Sequence, residues 1–155
     1  IHHRLVGSEM CIRDRWGFKH EAYDMTIANI AIVDQARDGT GCAIVHSDSA
    51  SGIQRLNQEA AKALAAGRKA GFEISEGRAM TWITKNPAKS LGILDQTGTL
   101  EQGKDADIVI WSGNPFSVYS KAEKVFIDGA LAFDKATNFM PHTDFDIGVK
   151  EWEDK

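Results

Sequence analysis

Cys42-Ala43-Ile44-Val45-His46-Ser47-Asp48 is a short apolar run that turns abruptly polar. The turn Asp38-Gly39-Thr40-Gly41 stands before it. After it, from Gly52 to about Ala70, Leu56, Ala60, Ala63 and Leu64 recur at helical spacing. Ser51 with Gln54 forms a capping box at the start of that helix, and Gly71 stops it. An unbroken apolar run of this length suits a strand buried on both faces, as in a parallel sheet. Turn, buried strand, polar loop and helix make one βα unit, so the fold class is α/β.

Working outward, Trp16 to Asp24 mixes aromatic and polar residues and reads as a loop. A helix is predicted over Ile27 to Ala36, where Ile27, Ile30, Ala31 and Asp34 share one face loosely. Downstream, Ser75 is a cap for a helix from Glu76 to Thr84. Asn86 as cap and Pro87 at the first helical position start another, which Gly92 ends. Beyond Gly92 the pattern becomes short apolar or β-branched runs: Thr99-Leu100, Ala106 to Trp111 and Lys124 to Ile127. Asp128-Gly129, between Ile127 and Ala130, is a two-residue hairpin signal. Gly98 to about Lys135 therefore reads as a small antiparallel sheet. The tail beyond Asn138 is acidic and aperiodic.

The 155 residues are 43% hydrophobic and 26% charged, which is the composition of a chain that buries a core. A net charge of −4 gives no basic footprint for nucleic acid. No apolar run approaches the roughly 20 residues that span a bilayer. Cys11 and Cys42 make neither a disulfide framework nor a thiolate metal site. Compartment and oligomeric state are not decided by these counts.

The chemistry-bearing candidates follow the apolar run. In α/β folds ligands bind beyond the carboxyl ends of parallel strands. Alternation along a strand puts His46 and Asp48 on one face and Ser47 on the other, which argues against a local Ser-His-Asp triad. Asp48 is suited either to hold a metal or a proton, or to cap the next segment. His46 alone reads as a hydrogen-bonded core histidine. Lys19, His20, Glu21, Tyr23 and Asp24 suit a pocket lining or a solvated loop, and the second is favoured. Trp82 and Trp111 read as core residues. Gly98, Gly103 and Gly113 precede no helix and so form no phosphate loop.

Four segments together resemble the C-terminal part of the amidohydrolase superfamily, in its imidazolonepropionase-like and metal-dependent dipeptidase-like branch. Cys42 to Asp48 is similar to the last barrel strand, which ends in the metal-site aspartate. Thr84-Lys85-Asn86-Pro87-Ala88-Lys89-Ser90-Leu91-Gly92 resembles the T-x-N-P-A-x-x-L-G segment. Gly98-Thr99-Leu100-Glu101-Gln102-Gly103-Lys104-Asp105-Ala106-Asp107-Ile108-Val109 resembles G-x-L-x-x-G-K-x-A-D-hydrophobic. Val125 to Ala130 resembles the closing V-x-x-x-G hairpin. The last three are specific when found together in this order.

The resemblance implies the last strand and helices of a TIM-barrel metal-dependent hydrolase, with part of a small β-sandwich accessory (composite) domain. It implies hydrolysis of an amide or other C–N bond, in a peptide-like or cyclic small molecule, by metal-activated water. Asp48 would be a metal ligand and the catalytic proton acceptor. His46 and Ser47 would be substrate-binding at most. The cofactor would be a divalent metal, zinc, as one or two ions in the whole enzyme. The family's H-x-H pair, its bridging Lys or Glu and its later histidines are absent here. His20 and His142 lie in the wrong contexts. A catalytic zinc needs about three protein ligands, and one credible ligand is present.

The expectation is therefore a fragment, inactive alone and without tight metal binding. Its parts would be a non-native tail over 1–15, the end of a barrel over 16–92, accessory β domain over 93–135 and an acidic tail over 136–155. Within the first part, the string VGSEMCIRDR resembles a translated sequencing adapter, the alternative being a disordered natural N-terminus. His2, His3 and Cys11 are accordingly left out of the chemistry. Two other readings compete: a non-catalytic small β-domain binding module, and a small enzyme that uses His46 and Asp48 without metal.

Overall fold

A computed structural model describes residues 26–47 and 52–137. The readings at Ile1 to Arg15, at Trp16 to Asp24, at the Ser51 cap, at Asp48 and beyond Asn138 lie outside those residues. Four helices come first: α1 (Asn29–Gly39), α2 (Leu56–Lys69), α3 (Glu76–Thr81) and α4 (Lys85–Leu91). Three strands follow: β1 (Ile108–Trp111), β2 (Ala122–Ile127) and β3 (Ala130–Asp134).

The helices form where apolar stripes and stop signals coincide. In α1, Ile30, Ala31 and Asp34 are buried. Its helical dihedrals end at Gln35, because Ala36 is extended and Arg37 and Asp38 take positive φ. A short 3-10 turn, Ile53–Arg55, leads into α2, whose inner face is Ala60, Ala63, Leu64 and Gly67. Small residues let α1 and α2 approach closely: a Cβ on Gly67 would sit 2.6 Å from the Ala31 Cβ. Past α2, Gly71 takes φ +93°, and its N–H closes the end on the Arg68 carbonyl. Ser75 caps α3, its Oγ accepting from the Arg78 N–H at 3.1 Å.

Two expectations about the part before the sheet need correction. The first is the helix start at Asn86. The helix begins at Lys85 after Thr84, so Asn86 and Pro87 occupy its second and third positions. Proline is tolerated there because the first four N–H groups of a helix have no internal partner. Asn86 is buried, and its side chain is spent elsewhere, as described below.

The second is the strand at Cys42 to Val45. Residues 41–47 carry no strand ladder, and no strand among the described residues lies beside them. The burial still alternates, with Ala43 and Val45 inside and Cys42 and Ile44 half-buried. Three of the segment's backbone groups, the carbonyls of Gly41 and Ala43 and the N–H of Val45, pair instead with Arg78, Asn86 and Trp82.

One core holds Ile30, Ala31, Ala43, Val45, Ala60, Ala63, Leu64, Ile74, Ala79 and Trp82, with Phe72, Ile83 and Phe116 packed against it. A buried aliphatic side chain of this kind contributes roughly 1.5–3 kcal/mol. Trp82 is fully buried, as its reading as a core residue expects, whereas Trp111 is half-buried.

The sheet is antiparallel in the order β1-β2-β3, as expected for this stretch. Ile127 pairs with Ala130 across Asp128-Gly129, which take φ +51° and +77°. Two positive φ values in a two-residue loop match the right-handed twist of the flanking strands. Thr99-Leu100, expected to be extended, belongs instead to the turns that precede β1.

Polar pins from the glycine-rich stretch fasten those turns. Lys104 Nζ donates to the Leu94 carbonyl at 2.7 Å and to Thr99 Oγ1, with Glu101 at 3.3 Å. Asp107 accepts from the Asp128 N–H at 3.1 Å and from Thr97 Oγ1 at 3.0 Å, joining the turns to the hairpin. Asn57 Nδ2 donates to the Pro115 carbonyl at 2.6 Å, and Asn114 Nδ2 to Glu76 at 3.0 Å, tying the β1–β2 connection to the helices.

Candidate functional site

The segment that runs into the polar cluster is the candidate site's support. Its entry is shaped by Gly41, where a Cβ would fall inside the Val33 carbonyl. No other residue fits so close an approach between this segment and the end of α1. From there three groups, four residues apart along α3, its turn and α4, reach the backbone. The Arg78 guanidinium donates to the carbonyls of Gly39 at 2.9 Å and Gly41 at 3.1 Å. Asn86 Nδ2 donates to the Ala43 carbonyl at 2.7 Å. The Trp82 carbonyl accepts from the Val45 N–H at 3.1 Å. Residues 41, 43 and 45 are thus held by Arg78 of α3, Asn86 of α4 and Trp82 of the turn between them.

Arg78 is itself anchored by a buried carboxylate. Asp34 is fully buried on α1, and the Arg78 Nε lies 2.8 Å from its Oδ1 and 3.1 Å from its Oδ2. Trp82 Nε1 donates to the same Oδ1 at 2.8 Å, and Gln35 to Oδ2 at 2.9 Å. A buried charge is tolerated when it is paired and its lone pairs are met, and both conditions hold here. The sequence carried a sign of this in Asp34, a carboxylate on the otherwise apolar stripe of α1. Nothing in the local pattern marked Arg78 or Trp82 as its partners, because those contacts span 44 and 48 residues.

Of the residues read as site candidates, His46 and Ser47 lie at the end of this segment, both half-buried and both engaged in polar contacts. Asp48 follows them in sequence, outside the described residues. Cys42 is a free thiol whose Sγ lies 4.0 Å from the Asn86 carbonyl. Among the described residues, no three His, Cys, Asp or Glu side chains gather as metal ligands do. No helix among them is long and apolar enough to cross a membrane.

Comparison with known proteins places this arrangement. The model of the amidohydrolase family matches residues 24–136, which is most of the chain. The chain belongs to the amidohydrolase family. Within the amidohydrolases its sequence is imidazolonepropionase-like. It is 52% identical over 40 residues to the imidazolonepropionase of Brucella suis, covering 26% of this chain and 10% of that protein. It is 40% identical over 67 residues to the imidazolonepropionase of Thermoplasma volcanium, covering 39% and 17% respectively. The crystal structure of an amidohydrolase from Thermotoga maritima superimposes with a TM-score of 0.64 at 35% identity, covering 77% of this chain and 29% of that one. The amidohydrolase chain thus spans a minor part of the length of each relative, and its mixed helix and strand structure fits an α/β amidohydrolase fold.

Proposed function

We propose that this chain is the C-terminal part of a hydrolase that cleaves an amide or other C–N bond, in a peptide-like or cyclic small molecule. One observation carries the reading: the family match runs through both the buried segment ending at His46-Ser47 and the turns pinned by Lys104 and Asp107. Residues 16–92 would be the end of a TIM barrel, and 93–135 the C-terminal part of a β-sandwich accessory domain. The tails at 1–15 and 136–155 would contribute no chemistry.

Asp48 is assigned the reacting carboxylate. It takes a proton from the attacking water as the C–O bond forms, and returns it to the leaving nitrogen as the C–N bond breaks. His46 and Ser47 are assigned to substrate contact. The relatives' family supports a divalent metal, zinc, with Asp48 as one ligand. The described residues do not fit such an ion, since about three protein ligands are needed and no such group gathers among them. On the family resemblance the other ligands are assigned to sequence upstream of Trp16, and no step is derived through the metal. On this reading the chain alone is inactive.

The test is to recover the contiguous coding sequence across Trp16 and express the longer protein. The expected result is an open frame that continues upstream into an H-x-H strand, with hydrolysis of a cyclic or N-acyl amide by the product. Asp48→Asn then lowers kcat by at least 10³-fold with the melting temperature unchanged. A genuine start codon and promoter immediately upstream of Trp16, or full turnover in Asp48→Asn, overturns the reading. The first outcome favours a small β-domain binding module.

A further inference from the structure

We infer that Arg78, Trp82 and Asn86 form a positioning clamp that sets where His46 and Ser47 stand, rather than a set of ordinary core contacts. The inference rests on the proposed function for what those two residues do, while the clamp itself is argued from geometry. The three residues stand four apart in sequence, Arg78 on α3, Trp82 in the turn that follows and Asn86 on α4, and they meet Gly41, Val45 and Ala43 respectively. Their contacts fall on alternate residues of the partner segment, at 41, 43 and 45. Two of the three use a side-chain donor on a main-chain carbonyl, so the grip does not depend on which side chains the segment carries.

A ladder between strands allows a segment to slip in register. Side-chain donors at fixed helical positions remove that freedom. Asn86 is buried, and its Nδ2 has a hydrogen bond of 2.7 Å to the Ala43 carbonyl. Arg78 is held in turn by Asp34, so its fork is fixed before it meets Gly39 and Gly41. The segment is pinned through Val45, and the very next residues are His46 and Ser47. Displacing Ala43 or Val45 by a fraction of an ångström would carry them along.

The clamp is tested on the full 155-residue chain by nuclear magnetic resonance, without any turnover. Asn86→Ala removes the central donor, and Arg78→Lys keeps the charge beside Asp34 while losing the fork to Gly39 and Gly41. Under conditions where each variant is folded, amide exchange at Val45 should quicken at least tenfold more than at Ala63 in α2. The His46 ring signals should move while signals from α2 stay in place. Asn86→Ser, which retains a shorter donor, should restore part of the protection at Val45. A merely structural role predicts equal acceleration at Val45 and Ala63 with His46 signals unchanged, and that result overturns the clamp. So does a failure of both Asn86→Ala and Arg78→Lys to fold, because the residues then serve the whole fold. If the exchange result holds while Asp48→Asn leaves turnover of the longer protein intact, the functional reading fails and the clamp stands.

Discussion

The helical part and the sheet part of this chain are held together by different physics. Every buried residue among those described lies between Ala28 and Ala88, and none from Lys89 to Thr137 is buried. The helices share one core and enclose the Asp34 carboxylate, which the half-exposed Arg78 reaches from the rim, so their order comes from close packing around one buried polar group. The sheet is stabilised by its ladders and by pins such as the exposed Asp107 and the largely covered Lys104. Val109, Ile110, Ile127 and Leu131 are all more than two-fifths exposed. Residues with strand-forming side chains are thus present in the sheet without the burial that gives them most of their energetic value.

That contrast is open to direct attack, beginning where the effect should be largest. Asp34→Ala removes the acceptor of both Arg78 and Trp82 and leaves the buried Trp82 Nε1 unmatched, while the half-exposed Arg78 keeps access to water. It should destabilise the chain by about 2–4 kcal/mol in urea unfolding. A loss below about 1 kcal/mol would mean that the buried carboxylate contributes little and that the two parts are more alike than their burial indicates.

A smaller effect is expected in the sheet. Phe126→Ala removes an aromatic ring from the central strand opposite Ile108 and Leu131. Because the ring is half-buried, the loss should be about 1–2 kcal/mol, against about 3–5 kcal/mol for an aromatic side chain in a filled core. The comparison is made in the same urea experiment. A loss as large as that of Asp34→Ala would show a sheet better covered than these exposures imply.

The smallest effect is electrostatic and belongs to the sheet part. Hydrogen bonding from Lys104, then Thr99, holds the Glu101 carboxyl below its usual range. The Ala136 N–H, then Lys124, does the same for Asp134. A carboxylate with a lowered pKa in the folded state stabilises the fold above its unfolded pKa, near 4, and loses that contribution as pH falls through the folded value. The Glu101 side chain is largely exposed, so its share should be slight and screened by salt, while the Asp134 side chain is mostly covered. Lys104→Met should flatten the acid limb of stability below about pH 4 without altering it at pH 7 beyond the loss of its own contacts. An unchanged acid limb would remove Glu101 from that account.

Much of this architecture was legible from local pattern. The α2 stripe, the Ser75 cap, the Asp128-Gly129 hairpin and the glycine stops are set by spacing and by the backbone preferences of single residues. Such signals act over a few residues and survive without knowledge of what lies across the fold. The α/β class and the family resemblance came from the same short motifs, and the comparisons agree with them.

Other features depended on contacts between distant parts of the chain. Asn86 looks like a helix cap from its neighbour Pro87, yet it is a buried donor to Ala43. Cys42 to Val45 looks like a sheet strand, yet the Ala43 carbonyl is met by Asn86 of α4 and the Val45 N–H by the Trp82 carbonyl. The choice between such partners rests on which donor is buried nearest an unmet acceptor, and no local pattern contains that distance. Asp34 shows the boundary between the two kinds of information. Its place on the apolar stripe of α1 required a buried partner, while the identity of that partner, Arg78, followed from the packing of α1 against the α3 end of the core.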